Sequence, residues 1–332
     1  MTRAKKTFVA ILSFALWISP VDLAKADTIN AGDNLLELIF YPAPRRLDWT
    51  TPGSLIRTMV HNWFFEYVDS PAERAKSWFP WENFPHKMSH VNVRLTCTSG
   101  EEFVGGMSQE WLLKDILRTL NGSDSFDRFI STFPGFLIPK KDILAWLSVL
   151  RPRDQARSLV MRVNTPTCHR LAQFIKEYQT RGYDKTYSGF IQDPLKGEGA
   201  GCAAFAMTFL RVGGLWFDQF DKRWKRILNI SESLMSRPGK PAKFTLLNII
   251  AGDDGAWAGS QPQIKLNIFD PQLMYDWVED VWRGKVSPPF PVYRTRIDGS
   301  LAVFADLRGH ASPTQPIWPA SQIETPPKLP RQ

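Results

Sequence analysis

Ser89-His90-Val91-Asn92-Val93-Arg94-Leu95-Thr96-Cys97 alternates in character, with Val91, Val93 and Leu95 on one face. That two-residue period is the mark of a half-buried strand. Ser99-Gly100 then offers a tight turn into a second strand from Phe103 to Met107, so the segment reads as a β-hairpin. A two-residue turn at that point sets Thr98 opposite Glu101 and His90 opposite Gln109. A slip of one residue would place Ser108 there instead, and either side chain could simply cap a following helix.

Outward from this hairpin the chain mixes helices and strands, which points to an α+β fold with an antiparallel sheet packed against helices. Leu35 to Tyr41 reads as a strand, and Ser54 to Val68 has helical apolar spacing with Ser54 as its cap. The aromatic, Pro-broken stretch from Ser77 to Pro85 is a loop, while Glu110 to Leu120 and Asp142 to Leu150 read as helices. Leu159 to Val163 is a strand, and Thr165-Pro166 caps and opens a helix running to Thr180. Gly197-Glu198-Gly199-Ala200-Gly201 leads into a helix that starts at Cys202 and stops at Gly213-Gly214. Phe244 to Ile250 and Ile264 to Phe269 follow as strands and Pro271 to Trp282 as a helix. Tyr293 to Ile297 and Leu301 to Ala305 make a hairpin turned at Asp298-Gly299, and from Ser312 the chain is a Pro-rich extended tail.

Composition bounds the function. With 43% hydrophobic and 22% charged residues in 332, the chain is neither disordered nor fibrous. Its 13 Trp and 22 Phe are first of all core filler, and secondly the lining of a cleft for carbohydrate or peptide. Arg3, Lys5 and Lys6 precede an apolar run from Phe8 to Ile18 and a small-residue site at Ala24-Lys25-Ala26, which reads as a secretory signal peptide over residues 1–26. The product is expected to be secreted or periplasmic, with no transmembrane segment after cleavage. Removing that leader subtracts four basic groups and one acid, taking the formal charge from +8 to +5. The remaining bases are interspersed with acids, so no nucleic-acid partner is expected.

The mature chain holds three cysteines, Cys97, Cys168 and Cys202. In an oxidising compartment an odd number leaves one thiol over. A Cys97–Cys168 bridge would tie the end of the His90 strand to the helix behind the sheet and leave Cys202 free; two unpaired buried thiols are the alternative.

Cys202 opens its helix after a run of glycines. Unpaired amides and the positive end of the helix dipole favour a thiolate there, so the position suits a nucleophile, although a small buried core Cys has the same address. A thiol needs a base, and the histidines are His61, His86, His90, His169 and His310. His90 begins a strand, which fixes an imidazole at a sheet end; a strand-terminal surface histidine is the plainer reading. His61 lies in an aromatic helix, His169 faces solvent beside Cys168, and His310 sits in a loop. His86 and His90 are four apart, but they lead into a strand and have no Cys or acid at ligand spacing, so neither metal nor cofactor is expected.

Taken together, Ser89 to Leu95, the strand Val160-Met161-Arg162-Val163 entering the Thr165-Pro166 helix, Tyr183, and Gly201-Cys202-Ala203-Ala204-Phe205 followed by Leu210 to Leu215 resemble the circularly permuted branch of the NlpC-like, papain-fold cysteine hydrolases. In that branch the His strand precedes the nucleophile helix. The resemblance covers residues 88–215 and implies Cys202 as nucleophile, His90 as general base and a papain-like permuted core. A polar residue common before the Cys is here Gly201, and the base-orienting residue has no match by motif, which leaves Gln109 from the hairpin arithmetic. The oxyanion would be met by the Cys202 N–H with Tyr183 or Tyr187, the resemblance favouring Tyr183. The corresponding division is an accessory segment at 27–87, the core at 88–240, strands and a helix packing on it at 241–311, and the tail at 312–332.

The expected function is an exported thiol amidase or peptidase acting on a peptide, peptidoglycan or another acyl substrate in the envelope. Acyl transfer to or from lipids uses the same covalent intermediate. The rival from a different class is a non-catalytic binding protein that keeps the fold and presents Trp78, Trp81 and the tail. Glycoside hydrolysis by Glu198 with Asp253 or Asp254 is a third reading, against which adjacent acids after a Gly more often form a turn.

Overall fold

A computed structural model of the protein describes residues 32–64, 88–110, 126, 131–188, 193–235, 252, 255–259 and 264–318. At its centre is β1 (Leu35–Tyr41), an almost wholly buried apolar strand. It pairs antiparallel with β2 (His90–Thr96) on one side and β6 (Arg157–Arg162) on the other. Two more strands, β10 (Tyr293–Ile297) and β11 (Ser300–Asp306), extend the sheet past β6, and β3 (Glu102–Gly105) closes it beyond β2. The order is therefore β10-β11-β6-β1-β2-β3. Every pairing is antiparallel except β11 with β6, which is parallel. The fold is α+β as the sequence indicates, with a mixed rather than purely antiparallel sheet. The stretch read as an N-terminal accessory supplies the sheet's middle strand, and the C-terminal hairpin supplies two others.

Alternation along β1 and β2 separates the two faces. Leu36, Leu38, Phe40, Val91, Val93 and Leu95 face the main core, where α3 (Thr165–Thr180), α4 (Cys202–Val212) and α6 (Pro271–Trp282) contribute Phe174, Phe205, Phe209 and Trp277. Each such ring removed from water contributes roughly 1.5–3 kcal/mol. Ile39 and Tyr41 face the other side, packed with Ile143, Leu147 and Leu150 of α2 (Lys140–Leu150). On that same side Glu37 forms a buried ion pair with Arg151 and accepts a 2.7 Å bond from Ser158 Oγ, so its charge is fully partnered.

Two smaller sheets flank this one. One contains β4 (Met107–Gln109), β5 (Thr132–Leu137) and β7 (Thr186–Ser188); the other pairs β8 (Lys225–Ile230) with β9 (Ile264–Phe269). Helix α1 (Pro52–Phe64) packs Leu55, Ile56 and Met59 against the β8–β9 pair, and α5 (Asp218–Arg223) precedes β8. Among the described residues no helix is long and apolar enough to cross a membrane.

Several local expectations change. Helix α1 starts at Pro52, with the Ser54 N–H bonded to Thr51 Oγ1, so Thr51 and not Ser54 takes the capping position. Asn164 and not Thr165 caps α3, its side chain accepting from the Thr167 N–H at 2.8 Å, while Pro166 sits in the first turn. The tail does not run free from Ser312: Trp318 is buried against Phe174 and Tyr183. The expected helix from Glu110 to Leu120, apart from Glu110 itself, the expected loop from Ser77 to Pro85 and the expected strand from Phe244 to Ile250 lie outside the described residues, as do the expected signal segment, Trp78, Trp81 and His86.

Candidate active site

Helix α4 is buried on nearly every side, with Cys202 at its first position and Gly201 as an N-cap that offers no side chain. Capping of the first amides therefore falls to whatever approaches the helix end. Gly199 makes that end possible: at φ +93° a side chain is strained, and a Cβ there would lie 2.7 Å from the Thr186 carbonyl. The glycine run seats the loop directly on β7 and aims Cys202 at the sheet.

Three backbone amides favour the sulfur's anion: its own, that of Ala203 and that of Val91 in β2. The last of these locates the site. A strand residue points its N–H and C=O to the same side, and the Val91 carbonyl lies against Gly106, where a Cβ would stand 3.0 Å away. The β2–β3 ladder has already ended at Val93–Gly105. The thiol thus sits at the edge of β2 that β3 leaves, between the face covered by α4 and the face carrying His90 and Asn92. Burial pushes the Cys202 thiol up to about 11 despite the three donors, and the Asp270 carboxylate adds to the rise. At neutral pH it rests as a neutral thiol.

His90 pairs with Tyr41 across the β1–β2 ladder and shares its face with Asn92, two residues on. Its Nε2 lies 3.1 Å from Asn92 Oδ1. An amide oxygen only accepts, so Nε2 carries the proton and Nδ1 the basic lone pair. Burial lowers the imidazole to about 4, with the Asn92 bond opposing part of that shift, so His90 is neutral at pH 7. The His90 Cα is only about 2.4 Å along the chain from the Val91 nitrogen that touches the sulfur. His90 and the residue that approaches the thiol are thus consecutive at one end of β2, their side chains on opposite faces of the sheet.

Gln109 does not face His90. The hairpin loop is the three residues Thr98-Ser99-Gly100, closed by Cys97 N–H to the Glu101 carbonyl, so the register is Thr96–Glu102 and one residue off the two-residue-turn arithmetic. Beyond Gly105 the chain departs into β4, where Ser108 pairs with Phe136 and Gln109 with Gly135. The group on the imidazole is Asn92, which sequence reasoning quoted as a strand residue and missed as a partner. The signal was available, because i and i+2 on a strand share a face.

Of the two tyrosines, Tyr187 is the one coupled to Cys202: burial raises its hydroxyl far above the ordinary value and the neighbouring Cys202 reinforces this. Tyr183 is buried in an aromatic cluster with Tyr178 and Trp318, under Gly197. Asp270, which also acts on the thiol, caps α6 and pairs with Arg226. His169 makes a surface contact with Glu101, and His310 packs edge-on against Phe217. Glu198 accepts the Asp193 N–H within its loop, and Asp253 and Asp254 lie outside the described residues.

Cys97 and Cys168 form a disulfide with Cα atoms 5.8 Å apart, the bridge expected between strand end and helix start, and Cys202 is a free, buried thiol. Among the described residues no group of three or more His, Cys, Asp or Glu is placed to hold a metal ion. The chain matches no protein-family model, no curated protein and no solved structure.

Proposed function

We propose that the protein is an exported thiol hydrolase, an amidase or peptidase in which Cys202 is the nucleophile and His90 the general base. The observation that carries this reading is that a helix-start thiol beside the Val91 amide and an imidazole whose Nε2 faces Asn92 Oδ1 are placed at the same end of β2. Both groups rest neutral, so the thiol proton passes to His90 Nδ1 as the sulfur attacks the acyl carbon. The carbonyl π electrons move onto oxygen, where the Cys202 N–H and the Tyr187 hydroxyl are the candidate donors. Collapse of this intermediate expels the amine, which takes the proton from His90. Water, deprotonated by the same imidazole, then cleaves the thioester and restores the thiol. The candidate signal segment and the resemblance favour a peptide of the cell wall as substrate, and a lipid acceptor in place of water would make the same site an acyltransferase.

The test uses Cys202→Ala, His90→Ala and the double variant, assayed on peptidoglycan fragments and simple acyl esters. Nucleophile and base act as one unit, so each single variant should lose about as much turnover as the pair. Full turnover in Cys202→Ala would overturn the proposal. A second reading, a non-catalytic binding protein, draws support from the high thiol pKa together with the low pKa of His90; it predicts binding to the same fragments with no turnover in the parent protein.

A further inference from the structure

We propose that Tyr41 is a positioning residue for the His90 ring, acting through the side-chain amide of Asn92; the inference rests on the reading of His90 as the general base. Asn92 is fully buried. Its two polar ends are both engaged, Oδ1 with His90 Nε2 at 3.1 Å and Nδ2 donating to the Tyr41 hydroxyl at 3.3 Å. An amide that donates at one end must present its oxygen at the other, and an oxygen facing Nε2 selects the tautomer with the proton on that nitrogen. The lone pair is thereby placed on Nδ1, where the proposed proton transfer needs it.

Tyr41 is well placed for this because it cannot easily move. It is the last residue of the central strand, directly opposite His90, and its ring is enclosed with Ile39, Ile143 and Leu147. The charged groups acting on it are Arg151 and Glu37, which form their own buried pair, and burial keeps the hydroxyl protonated. A neutral phenol retains lone pairs to accept the amide proton. On the other side Gly106 closes over the arrangement: a Cβ there would fall 2.1 Å from Asn92 Oδ1 and 3.1 Å from His90 Nε2. The amide is held between a tyrosine hydroxyl and a glycine backbone.

The test reads the ring itself as well as turnover. Nitrogen NMR of the histidine-labelled full chain, with His90 assigned by its loss in His90→Gln, should show His90 as the Nε2–H tautomer in the parent. Tyr41→Phe keeps the ring and removes the hydroxyl; it should convert this signal to a mixture of tautomers and lower kcat about tenfold with KM little changed. Asn92→Ala should give the same mixture, and the double variant should add nothing further. An Nδ1–H tautomer in the parent, or an unaltered tautomer in Tyr41→Phe, overturns the inference, and where Tyr41→Phe fails to fold an unaltered tautomer in Asn92→Ala overturns it as well. Turnover that survives Cys202→Ala would instead remove the reading of the site while leaving the tautomer result to stand on its own.

Discussion

The Val91 amide lies against the Cys202 sulfur, joining the first turn of α4 to the strand that begins with His90. The thiol in that position titrates near 11, above the ordinary value, because burial outweighs the donors. Since the thiolate is the reactive form, iodoacetamide labelling of Cys202 should rise about tenfold per pH unit from neutrality and level off only near the thiol pKa. A rate already at its plateau near pH 8 would show that the thiol is not held up. The same shift makes the protein less stable in alkali: the unfolded thiol ionises first, so stability is lost as pH climbs from 9 towards 11.

His90 gives the opposite sign at the acid end. Its ring is lowered from 6.5 to about 4 by burial, so the unfolded chain binds a proton that the folded one refuses. The associated stability is present above pH 6.5 and is lost as pH falls through 4, by at most roughly 3 kcal/mol. Denaturant midpoints measured at pH 7 and pH 4.5 should therefore differ more in the parent than in His90→Gln. Equal differences would mean that His90 protonates normally in the folded state.

The local pieces of this site were legible because short-range physics sets them. Alternation from His90 to Cys97 marks β2, the proline at Pro166 marks the start of α3 although its cap is one residue earlier than expected, and the glycines before Cys202 announce α4. Asn92 was legible too, since it lies two residues from His90 on the same face of the strand, whereas the facing strand is fixed only by register. What sequence could not supply is pairing at a distance. The hydrophobic run of β1 does not say that it lies between β2 and β6, and the last strand's parallel alignment with β6 depends on chain reversals far from either. Register failed for a similar reason: Gly100 at φ +100° ends a three-residue loop that the dipeptide Ser99-Gly100 does not distinguish from a two-residue turn. Cysteine parity required one thiol left over without saying which; the neighbourhoods of Cys97 and Cys168, at a strand end and a helix start, pointed to the pair that forms.

Gly106 should be as sensitive as the ionisable residues. In Gly106→Ala the new methyl would overlap Asn92 Oδ1, so either the amide or the β3–β4 bend must shift. Turnover should fall at least tenfold and the His90 tautomer signal should change, while far-ultraviolet circular dichroism and the melting profile keep the form of the parent. Parent-like activity in Gly106→Ala would show that the His90–Asn92 pairing tolerates displacement and contributes little.

The Cys97–Cys168 bridge ties the residue following β2 to the first turn of α3 across a separation of 71 residues. Closing a loop of that length restricts the unfolded chain by about 4 kcal/mol in the chain-entropy treatment. Beyond stability, the bridge anchors the far end of the strand whose near end carries His90 and the Val91 donor, so loosening it should act on the site as well as on the fold. Cys97→Ala/Cys168→Ala is expected to lower the unfolding free energy by several kcal/mol and to raise Cys202 labelling at neutral pH, because a less firmly seated β2 exposes the thiol to water. Chemical denaturation and mass-resolved alkylation of the folded double variant read the two effects separately. A loss of stability with Cys202 labelling unchanged would confine the bridge to the fold, and parent-like stability would show that packing of Leu95 and Leu171 already holds strand and helix together.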